Sequence, residues 1–164
     1  MSAARALLPL LAAAGLAAAC GDVPAVERDP TAPIQTSALR YELRTLDFGY
    51  AATIPWTFRN DTGEEIRVRN CRGDVRPLLQ VRREGRWVDA WRPFGPACES
   101  PPLVIPPGGS YADTLEVVGA PPGSNVTPAF VFEDLAGVYR LVWDRAADLP
   151  LEGTVSNAFV LEPS

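Results

Sequence analysis

From Leu39 onward the apolar residues of this chain come in short runs, and proline or glycine interrupts them again and again. No stretch keeps a helical period long enough to bury one face of a helix. Leu39, Tyr41 and Leu43 alternate with Arg40, Glu42 and Arg44, which is the period-two pattern of a half-buried strand. TIPWTFR (53–59) runs into Asn60-Asp61-Thr62-Gly63, a turn cluster, and EIRVR follows with Ile66 and Val68 on one side. LLQVR (78–82) and RWVDAW (86–91) flank Arg83-Glu84-Gly85, where the glycine can take positive φ in a hairpin. LVI (103–105), YADTLEVV (111–118), AFVFE (129–133), VYRLVW (138–143) and TVSNAFVLE (154–162) complete the series. About eight or nine short strands, spaced by roughly 8–12 residues with prolines mainly at the joints, predict an all-β protein built as an antiparallel sandwich.

The chain has 164 residues, 47% of them hydrophobic and 21% charged, enough to bury a core in a single globular domain. All fifteen basic residues are arginine, and there is no histidine. The commonest general base and the commonest metal ligand are therefore both missing. Charge is uneven: nine arginines face six acids between Arg59 and Arg92, whereas two arginines face nine acids from Pro93 to Ser164. The net charge of −5 argues against nucleic acid as the main partner, because that needs a basic footprint. Pairing of the basic middle with the acidic strands would spread the charge over the surface.

At the amino terminus, Arg5 precedes an uncharged run, ALLPLLAAAGLAAA (6–19). The run is shorter than the roughly 20 residues a membrane-spanning helix needs, and it has the form of a secretory signal peptide. Ala17-Ala18-Ala19-Cys20 resembles the lipobox of bacterial lipoproteins, with Ala17 where leucine is preferred and Leu16 one place earlier. The resemblance implies cleavage before Cys20 and acylation of that cysteine, and two or three acyl chains suffice for stable anchoring. Gly21 rather than Asp follows the cysteine, which by the same resemblance favours the outer membrane over the inner, facing the periplasm or the surface. Residues 1–19 are thus expected to be a lipoprotein signal peptide. Residues 20–37, rich in Pro, Thr and charge, are expected to be the lipidated Cys20 and a flexible tether, and residues 38–164 the β-sandwich.

In an exported chain the two remaining cysteines, Cys71 and Cys98, are expected to pair. Closing that loop is worth roughly 3.5 kcal/mol in the chain-entropy account. A metal site is the rival reading, but no C-x-x-C pair or histidine completes a ligand set.

Ala136-Gly137-Val138-Tyr139-Arg140-Leu141 resembles the entry into the penultimate strand of immunoglobulin-like domains. The resemblance makes Tyr139 the corner tyrosine, buried, with its hydroxyl reaching back to upstream backbone. Tyr139, Leu141 and Trp143 then face inward, and Arg140 points to solvent. Leu141 stands where antibody domains carry a core cysteine, so the Cys71–Cys98 bridge must staple loops instead. Ser156-Asn157-Ala158-Phe159-Val160-Leu161 is similar to the last strand of bacterial immunoglobulin-like domains. FRNDTGEEIRV, REGRWV and IPPGGSYADTL resemble the layout of the bacterial intracellular proteinase-inhibitor-like family. These are markers of fold more than of activity.

Trp87, Asp89 and Trp91 fall on one side of a strand by alternation. Two indoles flanking a carboxylate can stack on a sugar, although large aromatics on strands more often fill the core. Arg72-Gly73-Asp74 spells an integrin tripeptide, but the glycine is as well explained by a tight turn. Asp144 and Asp148 lack the calcium-loop grammar, and no nucleophile–base pair, P-loop or zinc motif occurs. The expectation is a non-enzymatic, lipid-anchored envelope protein that needs no cofactor or metal. It meets the membrane through its lipid and another envelope protein through its domain, and it takes neither nucleic acid nor a small ligand. A carbohydrate-binding module using Trp87 and Trp91 is one alternative. A proteinase inhibitor presenting the loop between Arg92 and Pro102 is the other.

Overall fold

The computed structural model describes residues 25–95, 100–143 and 154–164. Cys20, Cys98, Asp144 and Asp148 lie outside them. The described residues contain ten strands and no α-helix: β1 (Ile34–Thr36), β2 (Arg40–Leu46), β3 (Gly49–Arg59), β4 (Ile66–Val68), β5 (Leu78–Arg83), β6 (Arg86–Trp91), β7 (Leu103–Ile105), β8 (Ser110–Gly119), β9 (Gly137–Val142) and β10 (Phe159–Pro163). The protein is all-β. Eight strands join in the order β1-β3-β2-β10-β9-β5-β6 with β8 added on β3, and β4 pairs with β7 in a separate two-stranded sheet.

β2 is the joint of the larger sheet. Arg40 to Leu43 run parallel to β10, and Arg44 to Leu46 turn back antiparallel onto the start of β3. One strand thereby belongs to two differently facing halves, β1-β3-β8 and β10-β9-β5-β6. Alternation sets what each half buries. On β3, Ile54, Trp56 and Phe58 are buried while Thr53, Thr57 and Arg59 are exposed; on β8, Leu115 and Val117 are buried between exposed Thr114, Glu116 and Val118. Leu79 and Val81 of β5, Tyr139 and Leu141 of β9, and Phe159 and Leu161 of β10 enter the same core. Trp143, just past β9, locks the halves together. Its ring lies 5.0 Å from Phe58 and 5.5 Å from Trp56, and stacks at 6.2 Å on Tyr111 of β8, separations at which aromatic pairs attract.

Two expectations are corrected here. Residues 34–36, expected within the tether, form β1 against Trp56–Phe58 of β3, and Ile34 is fully buried. Arg28 also anchors this segment, donating to the Thr36 carbonyl at 2.6 Å. The folded domain therefore starts earlier than residue 38. AFVFE, in turn, is not a strand. Its backbone bonds are split between two partners, because Phe130 N–H donates to Ala120 beyond β8 and Val131 N–H donates to Ala90 of β6. The segment crosses from one half of the sheet to the other and plugs Phe130 into the core on the way.

Candidate functional site

The β5–β6 hairpin carries the residues singled out for a sugar platform. Glu84 (φ 50°) and Gly85 (φ 79°) make its two-residue turn, with both residues in the left-handed region that such hairpins require. Leu79 lies opposite Trp91 and Gln80 opposite Asp89, so Ala90 is the extra residue of a β-bulge. A bulge resets alternation. Trp87 stays half-buried and Asp89 exposed on the outer face, whereas Ala90 and Trp91 both turn inward. Trp91 is only 3% exposed, and its indole N–H donates to the Val118 carbonyl on β8 at 3.1 Å. Trp91 is therefore core, and the three residues do not form one platform.

What remains outside is a cross-strand network. The Arg140 guanidinium of β9 lies 4.6 Å from the centre of the Trp87 ring and donates twice to Gln80 Oε1, at 2.9 and 2.7 Å. Gln80 Nε2 donates to Asp89 Oδ1 at 2.9 Å, and Arg92 donates to Asp89 Oδ2 at 2.8 Å. The Gln80 hydrogen bond, then Arg92, hold the Asp89 carboxyl below its ordinary value, while burial lowers that of Arg140. Arg140 is thus half-buried and held by protein rather than in solvent, because β5 and β6 extend the sheet beside it and supply Gln80 and Trp87. One face of the Trp87 ring is already occupied by protein.

Tyr139 is buried, and its hydroxyl donates to the Leu135 carbonyl at 2.8 Å. Burial, above all, pushes its pKa up to about 12. Cys71 and Asp74 exchange backbone bonds of 3.0 Å in each direction around Arg72 and Gly73, both at positive φ. Arg72-Gly73-Asp74 is therefore a tight turn, with the Asp74 carboxylate paired to Arg76. The Tyr111 hydroxyl bridges this turn to β8, 3.2 Å from the Gly73 carbonyl and 2.9 Å from Asp113. Between the turn and β8 lies a cleft of about 410 Å³, lined on one side by Thr114, Leu115, Glu116 and Val118 and on the other by residues that include Asp74, Arg76 and Phe94.

No protein-family profile and no curated protein matches this chain.

Buried asparagines carry much of the architecture around these features. Asn60 donates to the carbonyls of Glu64, Ile105 and Pro106 and accepts from Thr62, joining the end of β3 to β7. Asn157 accepts from Thr36 N–H at 2.8 Å and donates to Thr36 Oγ1 at 2.9 Å. Sequence reading placed Asn60 in a turn and Asn157 in a strand, and missed that each satisfies buried backbone from a distant segment. Among the described residues no group of three or more acidic, cysteine or histidine side chains is arranged to hold a metal ion. The loop from Arg92 to Pro102 is described only at its two ends.

Proposed function

We propose that this chain is a lipid-anchored protein of the bacterial cell envelope whose immunoglobulin-like β-sandwich is a binding or structural module without a catalytic step. The single observation that carries the anchor is the apolar run that ends in Ala17-Ala18-Ala19-Cys20. An acylated Cys20 places the domain on a membrane, the outer in preference to the inner, and residues 21–33 ahead of β1 become the link to it. The immunoglobulin-like reading is supported by a parallel pairing of β2 with the last strand, by the antiparallel β10-β9-β5 order beside it, and by the Tyr139 bond to Leu135. The sugar-platform alternative is left without its second indole, since Trp91 is buried.

The same reading includes a Cys71–Cys98 disulfide. The chain just beyond Cys98 is tied to its neighbours: Arg72 N–H donates to Ser100 Oγ, and Asn70 Nδ2 donates to the Pro101 carbonyl, both at 2.9 Å. A non-reduced digest analysed by mass spectrometry is expected to yield the 71–98 linked peptide, and reduction is expected to cost about 2–5 kcal/mol of stability. Free thiols at both positions in freshly isolated protein would count against the pairing.

The anchor is tested by metabolic labelling with a fatty acid. Cys20→Ser is expected to abolish the label and to release the protein from the outer-membrane fraction. Unchanged labelling of that variant removes the anchor from the proposal.

A further inference from the structure

The chain ahead of β1 is folded back on the domain. The Arg28 guanidinium donates to the Thr36 carbonyl at 2.6 Å and to the Ser37 carbonyl at 3.4 Å, across eight and nine residues of chain. Gln35, the outward residue between buried Ile34 and Thr36, donates to the Asp29 and Ala32 carbonyls at 2.8 and 2.7 Å. Ala32 N–H donates to the Asp29 carbonyl across the intervening turn, and Thr31 N–H to the Asp29 carboxylate. Residues 28–33 therefore lie over the outer side of β1, and the link from Cys20 meets the domain at Arg28 rather than at Ile34. Residues 21–27 span at most about 25 Å however they are arranged. That is shorter than β3, whose eleven residues extend over about 35 Å.

The link thus arrives on one particular face. Arg28 and Gln35 border a shallow hollow of about 500 Å³ whose floor includes Thr57 of β3 and Ala112 and Thr114 of β8. Alternation puts Thr53, Pro55 and Thr57 on this face, with Thr114 opposite Pro55 and Ala112 opposite Thr57. None of these five side chains is charged; Arg59 and Glu116 mark the two ends of the patch. Asp113 lies at its border, where its carboxylate accepts from the Tyr111 hydroxyl and from Thr114 N–H. The other outer face, with Trp87, Asp89 and Arg140, lies across the shared core. To bring that face to a membrane, the link would have to pass round two sheets about 10 Å apart and the side chains outside them. Little of its 25 Å reach would be left.

We infer that the outer face of β1-β3-β8, around Pro55, Thr57, Ala112 and Thr114, is held by this short link against the phospholipid headgroups of the membrane that carries the Cys20 acyl chains. The Trp87–Arg140 face is then the one displayed to the aqueous compartment. The inference rests on the anchor proposed above. A short link keeps the effective concentration of the face at the bilayer high, so each contact need only be weak. The hydroxyls of Thr57 and Thr114 can donate to phosphate oxygens. The uncharged patch also spares a chain of net charge −5 the repulsion that its acidic surface would meet from anionic lipid.

The experiment places the full acylated chain, purified from membranes, in phospholipid nanodiscs that contain a trace of gadolinium-chelating lipid. The intact mass of the same sample reads the acyl chains. Amide relaxation enhancement falls with the sixth power of distance, and the two faces are separated by at least the roughly 10 Å between stacked sheets. Enhancement at Thr57, Ala112 and Thr114 is therefore expected to exceed that at Gln80, Asp89 and Arg140 about tenfold. A Gly/Ser insertion of about fifteen residues between Glu27 and Arg28 makes the link long and flexible. It is expected to cut the contrast to about twofold or less at an unchanged melting temperature. Equal enhancement on the two faces, or the larger one on the Trp87–Arg140 face, overturns the inference. So does a contrast that survives the insertion, and so does one that needs several copies per disc, which assigns the face to a second copy of this chain. A chain without acyl mass overturns the anchor as well, whereas equal enhancement in an acylated chain overturns this orientation alone.

Discussion

The guanidinium of Arg140 sits on the outer face of the sheet, 4.6 Å from the centre of the Trp87 ring, while Gln80 accepts two of its hydrogen bonds. A cation–π contact at a partly exposed site contributes about 0.5–1 kcal/mol, and charge-assisted bonds to Gln80 add to it. Arg140→Gln is therefore expected to cost about 1 kcal/mol or more in urea denaturation, above the roughly 0.5 kcal/mol of an ordinary surface change. A double-mutant cycle with Trp87→Ala should show coupling between the two positions. Additive effects would mean that the stacking contributes nothing.

Tyr139→Phe keeps the ring and leaves the Leu135 carbonyl without its donor. A loss of about 1–2 kcal/mol is expected. The hydroxyl also makes stability depend on pH. Its pKa is raised from 10.0 to about 12 in the folded state, so its contribution is complete below pH 10 and disappears as pH climbs from 10 through 12. The corresponding free energy is about 2–3 kcal/mol. Denaturant melts across that range should fall less steeply in Tyr139→Phe than in the parent, and identical slopes would contradict the burial of the hydroxyl.

Asn157→Ala strands the Thr36 N–H in the interior, while the Thr36 hydroxyl keeps its bond to the Ala38 carbonyl. An unsatisfied buried group costs about 1–3 kcal/mol. The expected result is a loss in that range, with β1 amides exchanging faster than those of β3. Uniform acceleration across the domain would show instead that β1 cannot detach on its own.

The burial of Tyr139, Leu141 and Trp143 follows from alternation, which a strand enforces residue by residue; this part of the fold was legible from the chain. Trp91 was not. Its inward turn depends on one extra residue, Ala90, opposite the Leu79–Gln80 step, and a bulge leaves no mark in a pattern of apolar and polar letters. β1 escaped for another reason. Three residues between prolines and threonines have no period to read, and their strand partners lie far off, in β3 and at Asn157, 121 residues away along the chain. Arg140 was misjudged because a polar residue on an outward face is in solvent only if neighbouring strands leave it there. Its surroundings are set by pairing with β5, which the local pattern does not encode.

The parallel seam between β2 and β10 has a kinetic corollary. Arg40 meets Val160, and Leu43 meets Pro163, so the strand that joins the two halves of the sheet waits for a segment far along the chain. Such distant partners raise the contact order, which places the domain among the slower two-state folders, on a millisecond-to-second scale. Until residues 159–163 have left the ribosome, β2 has among the described strands only its three-residue hairpin contact with β3 in that sheet. The seam ties completion of the larger sheet to β10, so a nascent chain that lacks residues 159–163 leaves β2 open along Arg40–Leu43.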